Sequence, residues 1–231
     1  MTIVTFQTAD EGIAREQALL AAGRPAILLW QAREQALVVP AAWAGRDAVR
    51  ATEHKLAEAG WPLLARTSGG GAVPQGPCTL NLALVAPLPA GSRIEDGYAL
   101  ICGAVSEALT RFEVATGTGA VPGAFCDGSW NVISGGRKLA GTAQRWRSMA
   151  GARTALLHAA ILTVPPSATV WPALALLHHA VGLVEAPRSE SHMALSQLLP
   201  PTMRPTSVAG ALLRAAEDRL SRLLTHRQQA A

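Results

Sequence analysis

The apolar residues of this chain fall into strand-length runs, set between helical stretches that follow no βαβ rhythm, and this narrows the folds open to it. Ala26–Gln31 and Ala36–Pro40 are two such runs, and Trp61–Ser68 reads as a third strand entering Gly69-Gly70-Gly71. From Cys78 onward the pattern alternates like a half-buried strand, with Leu80, Leu82 and Leu84 on one face and Thr79, Asn81 and Ala83 on the other. Phe125 to Trp146 contains a hairpin turning on Gly135-Gly136, which supplies the positive φ angles of a two-residue turn. A further strand follows in Thr154–Val164. Between these runs, Asp10 is placed to N-cap a helix through Ala22 that stops at Gly23. Asp47 to Glu58 and Ile94 to Phe112 also read as helices, and Ser167 to Ala231 as helix broken by proline-punctuated loops. The expectation is an α+β fold, with helices packed on a largely antiparallel sheet. Residues 1–231 read as one domain, in which about 186–231 form a helical C-terminal segment rather than a full accessory domain.

Composition excludes several classes. Of 231 residues, 49% are hydrophobic and 16% charged, too apolar for disorder. The net charge of +4 is carried by scattered arginines with only three Phe and one Tyr, which argues against nucleic acid and suits an acidic protein partner. Three cysteines without a CxxC pair oppose a disulfide framework, and no His/Cys/Asp/Glu cluster has metal-ligand spacing, so no metal site is expected. No apolar run reaches the ~18–20 residues of a membrane span, and the N-terminus lacks the features of a secretory signal. A soluble cytoplasmic protein is expected, with no membrane partner.

Three segments carry chemistry. In Arg66-Thr67-Ser68-Gly69-Gly70-Gly71-Ala72-Val73 the glycines let backbone N–H groups approach an anion or acyl chain, and Arg66 offers a forked donor for phosphate or carboxylate. No Gly-Lys-Ser/Thr follows, so this is not a Walker loop, and a plain flexible turn is the competing reading. In Gly135–Gln144, Lys138 follows the turn and precedes the small Ala140-Gly141, giving a cation room to polarise a carbonyl or neutralise a phosphate; a solvated hairpin lysine is the plainer alternative. Of 20 basic residues only Lys55 and Lys138 are lysines, so Lys138 stands where arginine is the default. In Phe125–Asn131, Cys126 precedes an Asp-Gly turn; a cation nearby would favour its thiolate, and otherwise it is an inert thiol. Cys102 lies inside an apolar helix, and Cys78 is the weaker candidate. His158 interrupts an apolar strand and reads as a core histidine or a catalytic base, whereas His178 and His179 look structural.

Together these segments resemble the lipoate–protein ligase and octanoyl/lipoyl transferase family. That family pairs an Arg-Arg-x-Ser/Thr-Gly-Gly-Gly-Ala-Val loop with a Gly-Arg/Lys-Lys-Ile-Ala/Ser-Gly-x-Ala-Gln hairpin and a His-Gly-x-Leu strand. Ala65–Val73, Gly136–Gln144 and His158–Ile161 correspond to these, and the resemblance covers about residues 1–185. Biotin protein ligases share the fold but have a Gly-Arg-Gly-Arg loop that this chain lacks. Departures lie at Ala65 in place of the first arginine, Gln75-Gly76 where ligases have His-Asp, and Ala159 after His158. The resemblance implies that the triple glycine lines an acyl tunnel and that Lys138 contacts the acyl carbonyl. It implies an acyl or adenylate pocket drawn from Arg66, Ser68, Gly69, Gly70, Gly71, Ala72, Gln75, Asn81, Asn131, Ala140, Gly141, Thr142 and His158.

Phe-Cys-x-Gly-Ser-aromatic ahead of the hairpin is similar to the branch that works through an acyl-cysteine. On that reading Cys126 and Lys138 are catalytic. The chain then moves an octanoyl or lipoyl group to the lysine of a lipoyl domain, in a 2-oxoacid dehydrogenase E2 subunit or the glycine cleavage H protein. An acyl carrier protein or an acylated lipoyl domain is the donor, and no cofactor is needed. Two alternatives are an ATP-dependent lipoate ligase, using ATP, Mg2+ and lipoate through lipoyl-AMP, and a non-catalytic acyl- or nucleotide-binding relative.

Overall fold

The computed structural model describes residues 2–89, 91–149 and 152–229. In chain order the elements begin with β1 (Val4–Phe6), α1 (Ala9–Ala22), β2 (Ala26–Ala32) and β3 (Ala36–Pro40). Three short helices follow, α2 (Ala41–Ala44), α3 (Asp47–Arg50) and α4 (Glu53–Glu58), then β4 (Leu63–Arg66), β5 (Val73–Gln75) and β6 (Thr79–Leu88). After α5 (Ile94–Thr110) come β7 (Gly117–Gly119), β8 (Asn131–Ser134), β9 (Arg137–Met149) and β10 (Ala152–Leu162). The chain finishes with α6 (Val170–Ala180), three 3-10 turns and α7 (Ala209–Gln229).

The fold is α+β. Seven strands form a sheet in the order β1-β2-β6-β10-β9-β8-β7, antiparallel throughout except for β1 beside β2. A second sheet has the order β4-β3-β5. Helices α5 and α7 pack together on one face of the large sheet and bury Leu80, Leu82, Leu84 and Leu157 with Ile101, Val105 and Leu212. Helix α1 and the small sheet cover part of the other face, where Leu20, Leu28, Trp30, Val38 and Ala83 pack. Among the described residues no helix is long and apolar enough to cross a membrane.

Three local expectations need correction. Helix α1 is capped by Thr8, whose Oγ1 accepts from Glu11 N–H at 3.4 Å. Asp10 instead sits in the first turn, where a negative charge suits the positive end of the helix dipole. The stretch from Asp47 to Glu58 is two helices rather than one. The Thr52 hydroxyl donates back to Val49 O at 2.7 Å, a local bond that competes with helical continuation. Strand β6 is buried on both faces, not one, because layers cover the sheet above and below it. Gly23 ends α1 in the left-handed region, and Gly135-Gly136 turn the β8–β9 hairpin at φ 54° and 73°.

Candidate active site

The pocket is built on the uncovered part of the large sheet's inner face. Strand register puts Trp30, Asn81, Ala160 and Gly141 in one cross-strand row, with Ala83, His158 and Ala143 in the adjacent row on that face. Because Ala160, Gly141 and Ala143 carry little or no side chain, space opens above them. That cavity opens to solvent and is walled by Ile13 and Glu16 of α1, Val38 and Val73 of the small sheet, Arg66 and Cys126. A smaller, more enclosed space shares Val73, Gly141 and Ala160 with it and reaches Phe125 and Lys138. A largely apolar recess thus extends from the cysteine towards α1, with Lys138 on the adjoining smaller space.

Cys126 sits at φ 49°, a left-handed conformation that non-glycine residues seldom adopt. Several contacts hold it there. Lys138 Nζ donates to Phe125 O and to Cys126 O, both at 2.7 Å, and lies 5.1 Å from the Phe125 ring centroid. Gly71 N–H donates to Cys126 Sγ at 2.9 Å. A Cβ added at Gly70, which sits at φ 103°, would lie 2.8 Å from that sulfur, and one at Gly71 would lie 3.2 Å from Cys126 Cα. The glycines thus bring the loop against the cysteine itself. Lys138 is 1% exposed, so it is no solvated hairpin lysine. Gly141 makes its room, since a Cβ there would meet Lys138 Cε and Nζ at 3.2 Å. Burial lowers the Lys138 pKa, against the pull of Cys126 and Asp127 and reinforced by Arg66.

Arg66 is buried, and its guanidinium donates to Val38 O at 2.8 Å, Gly69 O at 3.0 Å and Gly71 O at 2.7 Å. Its forked donors therefore shape the glycine loop rather than standing free for a phosphate. Burial lowers its pKa, opposed by Cys126 and Glu16 nearby. Burial pushes the Cys102 thiol up to about 11 and raises that of Cys78 as well, so at neutral pH both remain protonated thiols.

Other predicted residues take distinct places. Gln75 and Asn81 line the cavity, and each side-chain amide donates a hydrogen bond to the other's oxygen, at 2.9 and 2.8 Å. Thr142 lines it too and donates to Trp130 O at 2.6 Å. Ala140 does not join the pocket; it faces the α5 side of the sheet and packs in that core. Asn131 holds the turn after the cysteine, donating 2.8 Å bonds to Asp127 Oδ1 and Gly128 O. Ala72 is buried against the small sheet's core, and Gly69 contributes its carbonyl to Arg66.

His158 is neither isolated nor simply packed. Its Nδ1 lies 3.2 Å from Glu16 Oε2, its Nε2 lies 3.1 Å from Ser68 Oγ, and Glu16 accepts from Trp30 Nε1 at 2.8 Å. Glu16 is 2% exposed. Glu16→Ala would leave two buried N–H donors unmet, and we expect a loss of about 2–4 kcal/mol, read as a lowered denaturant midpoint at unchanged slope. Glu16→Gln keeps one acceptor oxygen and should lose about half of that.

Residues 9–216 match the lipoyl protein ligase A/B catalytic domain. The chain belongs to that family. It is 37% identical over 148 residues to an octanoyl-GcvH:protein N-octanoyltransferase of Kyrpidia tusciae, covering 61% of this chain and 50% of the relative. It is 40% identical over 150 residues to an uncharacterised protein of Cupriavidus necator, covering 61% and 59%. The matches thus span little more than half the length of these relatives. The lipoyl ligase fold is confirmed by a bi-partite lipoate protein ligase of Thermoplasma acidophilum, at TM-score 0.68 and 17% identity over 95% of this chain and 82% of that one. A lipoate-protein ligase A bound with ATP matches at TM-score 0.69 and 17% identity, covering 96% and 86%.

Two residues at or beside this candidate site carry little signal in the sequence of the lipoyl ligase domain. Glu16 leaves a faint trace, as the carboxylate on the stripe of α1 that buries Ala9, Gly12 and Leu20. His192 leaves none, because its role is made by contacts far apart in sequence. Its Nε2 accepts from Phe125 N–H at 3.1 Å, its Nδ1 bonds Arg188 O at 2.8 Å, and its ring stacks on Phe125 at 4.2 Å. The Phe125 backbone is thus gripped at its N–H by His192 and at its carbonyl by Lys138. Burial pushes the His192 imidazole down to about 4, and the Lys138 charge acts in the same sense. The unfolded chain then binds this proton more readily between about pH 6.5 and 4, so stability from this group is intact above that window and drains away as pH falls through it. The loss amounts to about 3 kcal/mol by pH 4, and His192→Gln should remove this part of the pH dependence in thermal melts.

Proposed function

We propose that this chain transfers an octanoyl or lipoyl group to the lysine of a lipoyl domain through a thioester on Cys126. The observation carrying the reading is the position of Cys126: its sulfur receives the Gly71 N–H at the head of a largely apolar recess, beside the buried Arg66 and Lys138. An acyl chain laid along Val38, Val73 and Ala160 brings its carbonyl to the cysteine. Attack by Cys126 places negative charge on the carbonyl oxygen. An ammonium has three N–H donors; Lys138 spends two on Phe125 O and Cys126 O, and the third is available for that oxygen. Collapse forms the thioester and expels the donor's thiol or amine. A lysine amine then attacks the thioester, giving the amide and the free cysteine.

Relatives named as octanoyl-GcvH:protein N-octanoyltransferases support GcvH or a like lipoyl domain as donor and acceptor, with acyl carrier protein as the other donor to try. The ATP-dependent reading draws on the shared fold with an ATP-bound ligase. Against it, the Arg66 donors and the Gln75–Asn81 amides are engaged within the protein, which leaves them poorly placed to hold phosphates. Intact mass spectrometry after mixing with octanoyl-GcvH or octanoyl carrier protein, without ATP, should give a hydroxylamine-sensitive octanoyl adduct. Absence of the adduct together with lipoate-dependent pyrophosphate exchange would replace the transferase reading by the ligase one.

A further inference from the structure

Cys126 also faces outward, onto a groove with about 900 Å³ of empty volume on the side away from α1. Gly70 and Gly71 line this groove, and Cys126 is the residue shared between it and the inner cavity. The charged side chains lining it are the carboxylates of Asp127 and Glu185, both exposed, in a protein whose net charge is +4. Its rim carries Leu183 and the fully exposed Val184.

His178 lines the same groove and is more than nine-tenths buried. Its Nδ1 lies 3.0 Å from Glu185 O, and since a carbonyl only accepts, Nδ1 carries the hydrogen. Nε2 is then the lone-pair nitrogen of the neutral ring, and among the described residues it is the one buried side-chain nitrogen or oxygen without a hydrogen-bond partner. What it lacks is a donor.

Resting on the acyl-Cys126 reading, we infer that this groove receives the lysine side chain of the acceptor protein, and that His178 Nε2 takes a proton from its ammonium group. The occupant follows from complementarity: the groove offers the Glu185 carboxylate, the charge of Asp127, whose Oδ1 is held by Val121 N–H, Gly128 N–H and Asn131, and an unmet acceptor to a cation with hydrogens to give, on an apolar rim suited to its stem. The acyl tail fills the recess behind Cys126, so the amine needs an open approach from the other side. In the step, one ammonium proton passes to His178, the amine lone pair forms the C–N bond, and the C–S bond breaks with its electron pair on sulfur. A second amine proton passes to that sulfur and the third stays on the amide. His178 then returns its proton to solvent.

The test separates the two half-reactions. Cys126 is loaded with the small thioester octanoyl-N-acetylcysteamine, and deacylation is timed by intact mass with a lipoyl domain or with hydroxylamine, an amine already unprotonated at neutral pH. His178→Gln should load and release to hydroxylamine at wild-type rates, while transfer to the lipoyl-domain lysine slows on the order of 100-fold. Glu185→Lys, an exposed change at the mouth, should raise the acceptor concentration needed for half-maximal transfer without changing loading. If wild type never loads, the acyl-cysteine reading falls. If wild type loads and both variants transfer normally, the groove inference alone falls. Equal slowing of His178→Gln with lysine and hydroxylamine would also overturn it, making His178 structural.

Discussion

Cys126→Ala is expected to abolish the octanoyl adduct and to cut lipoyl-domain transfer by on the order of 10⁴-fold or more, the scale seen when an enzyme loses its nucleophile. The backbone explains why this variant should still fold. Alanine at φ 49° is about as strained as cysteine there, and the clamp on the Phe125 and Cys126 carbonyls comes from Lys138, not from the thiol. The lost contact is the acceptor for Gly71 N–H, which amounts to about 1 kcal/mol. Cys102 and Cys78 cannot substitute, being buried thiols held protonated at neutral pH. Full transfer by a folded Cys126→Ala protein would end the covalent mechanism.

Lys138 should show the second large effect. Lys138→Met keeps much of the volume but removes all three donors, and transfer should fall by about 10²–10³-fold, the usual range for losing a donor to a developing oxyanion. Two buried carbonyls also lose their partner, so a stability loss of about 2–4 kcal/mol is expected from chemical denaturation. Lys138→Arg retains the charge yet should fail as well. The side chain lies over Gly141, where even a methyl group would sit 3.2 Å from its Cε and Nζ, and a planar fork needs more width than that. Activity equal to wild type in Lys138→Arg would show that a diffuse positive charge suffices and that the fit beside Gly141 is irrelevant.

The contrast between these two residues and their neighbours shows what can be read along a chain. Cys126 and Lys138 were legible because turn chemistry and an unusual residue choice mark them locally. Arg66 shows where such local marks stop. Sequence shows a forked donor beside glycines, whereas the fold turns that fork back onto Val38, Gly69 and Gly71. The motif places Ala140 in the pocket, whereas an irregularity in the β8–β9 pairing at Val132/Ile133 lies beside it and Ala140 packs towards α5. His192 and the exposed side of Cys126 had no local signature. They arise where the segment after α6 returns to bridge Lys138, more than fifty residues away in the chain.

Periodicity and turn residues alone determined the α+β character, most strands and helices and the glycine hairpin, because these depend on near-neighbour sterics and on which faces must leave water; the family was legible only in the motifs of the glycine loop, the hairpin and the His158 strand. Only the tertiary structure decided that the glycine loop, the hairpin lysine and the cysteine converge on one peptide, that Glu16 reaches His158, and that Cys126 opens onto two spaces. Those facts depend on register and layer packing, in which Ala160 of β10 with Gly141 and Ala143 of β9 leaves room that no single segment encodes.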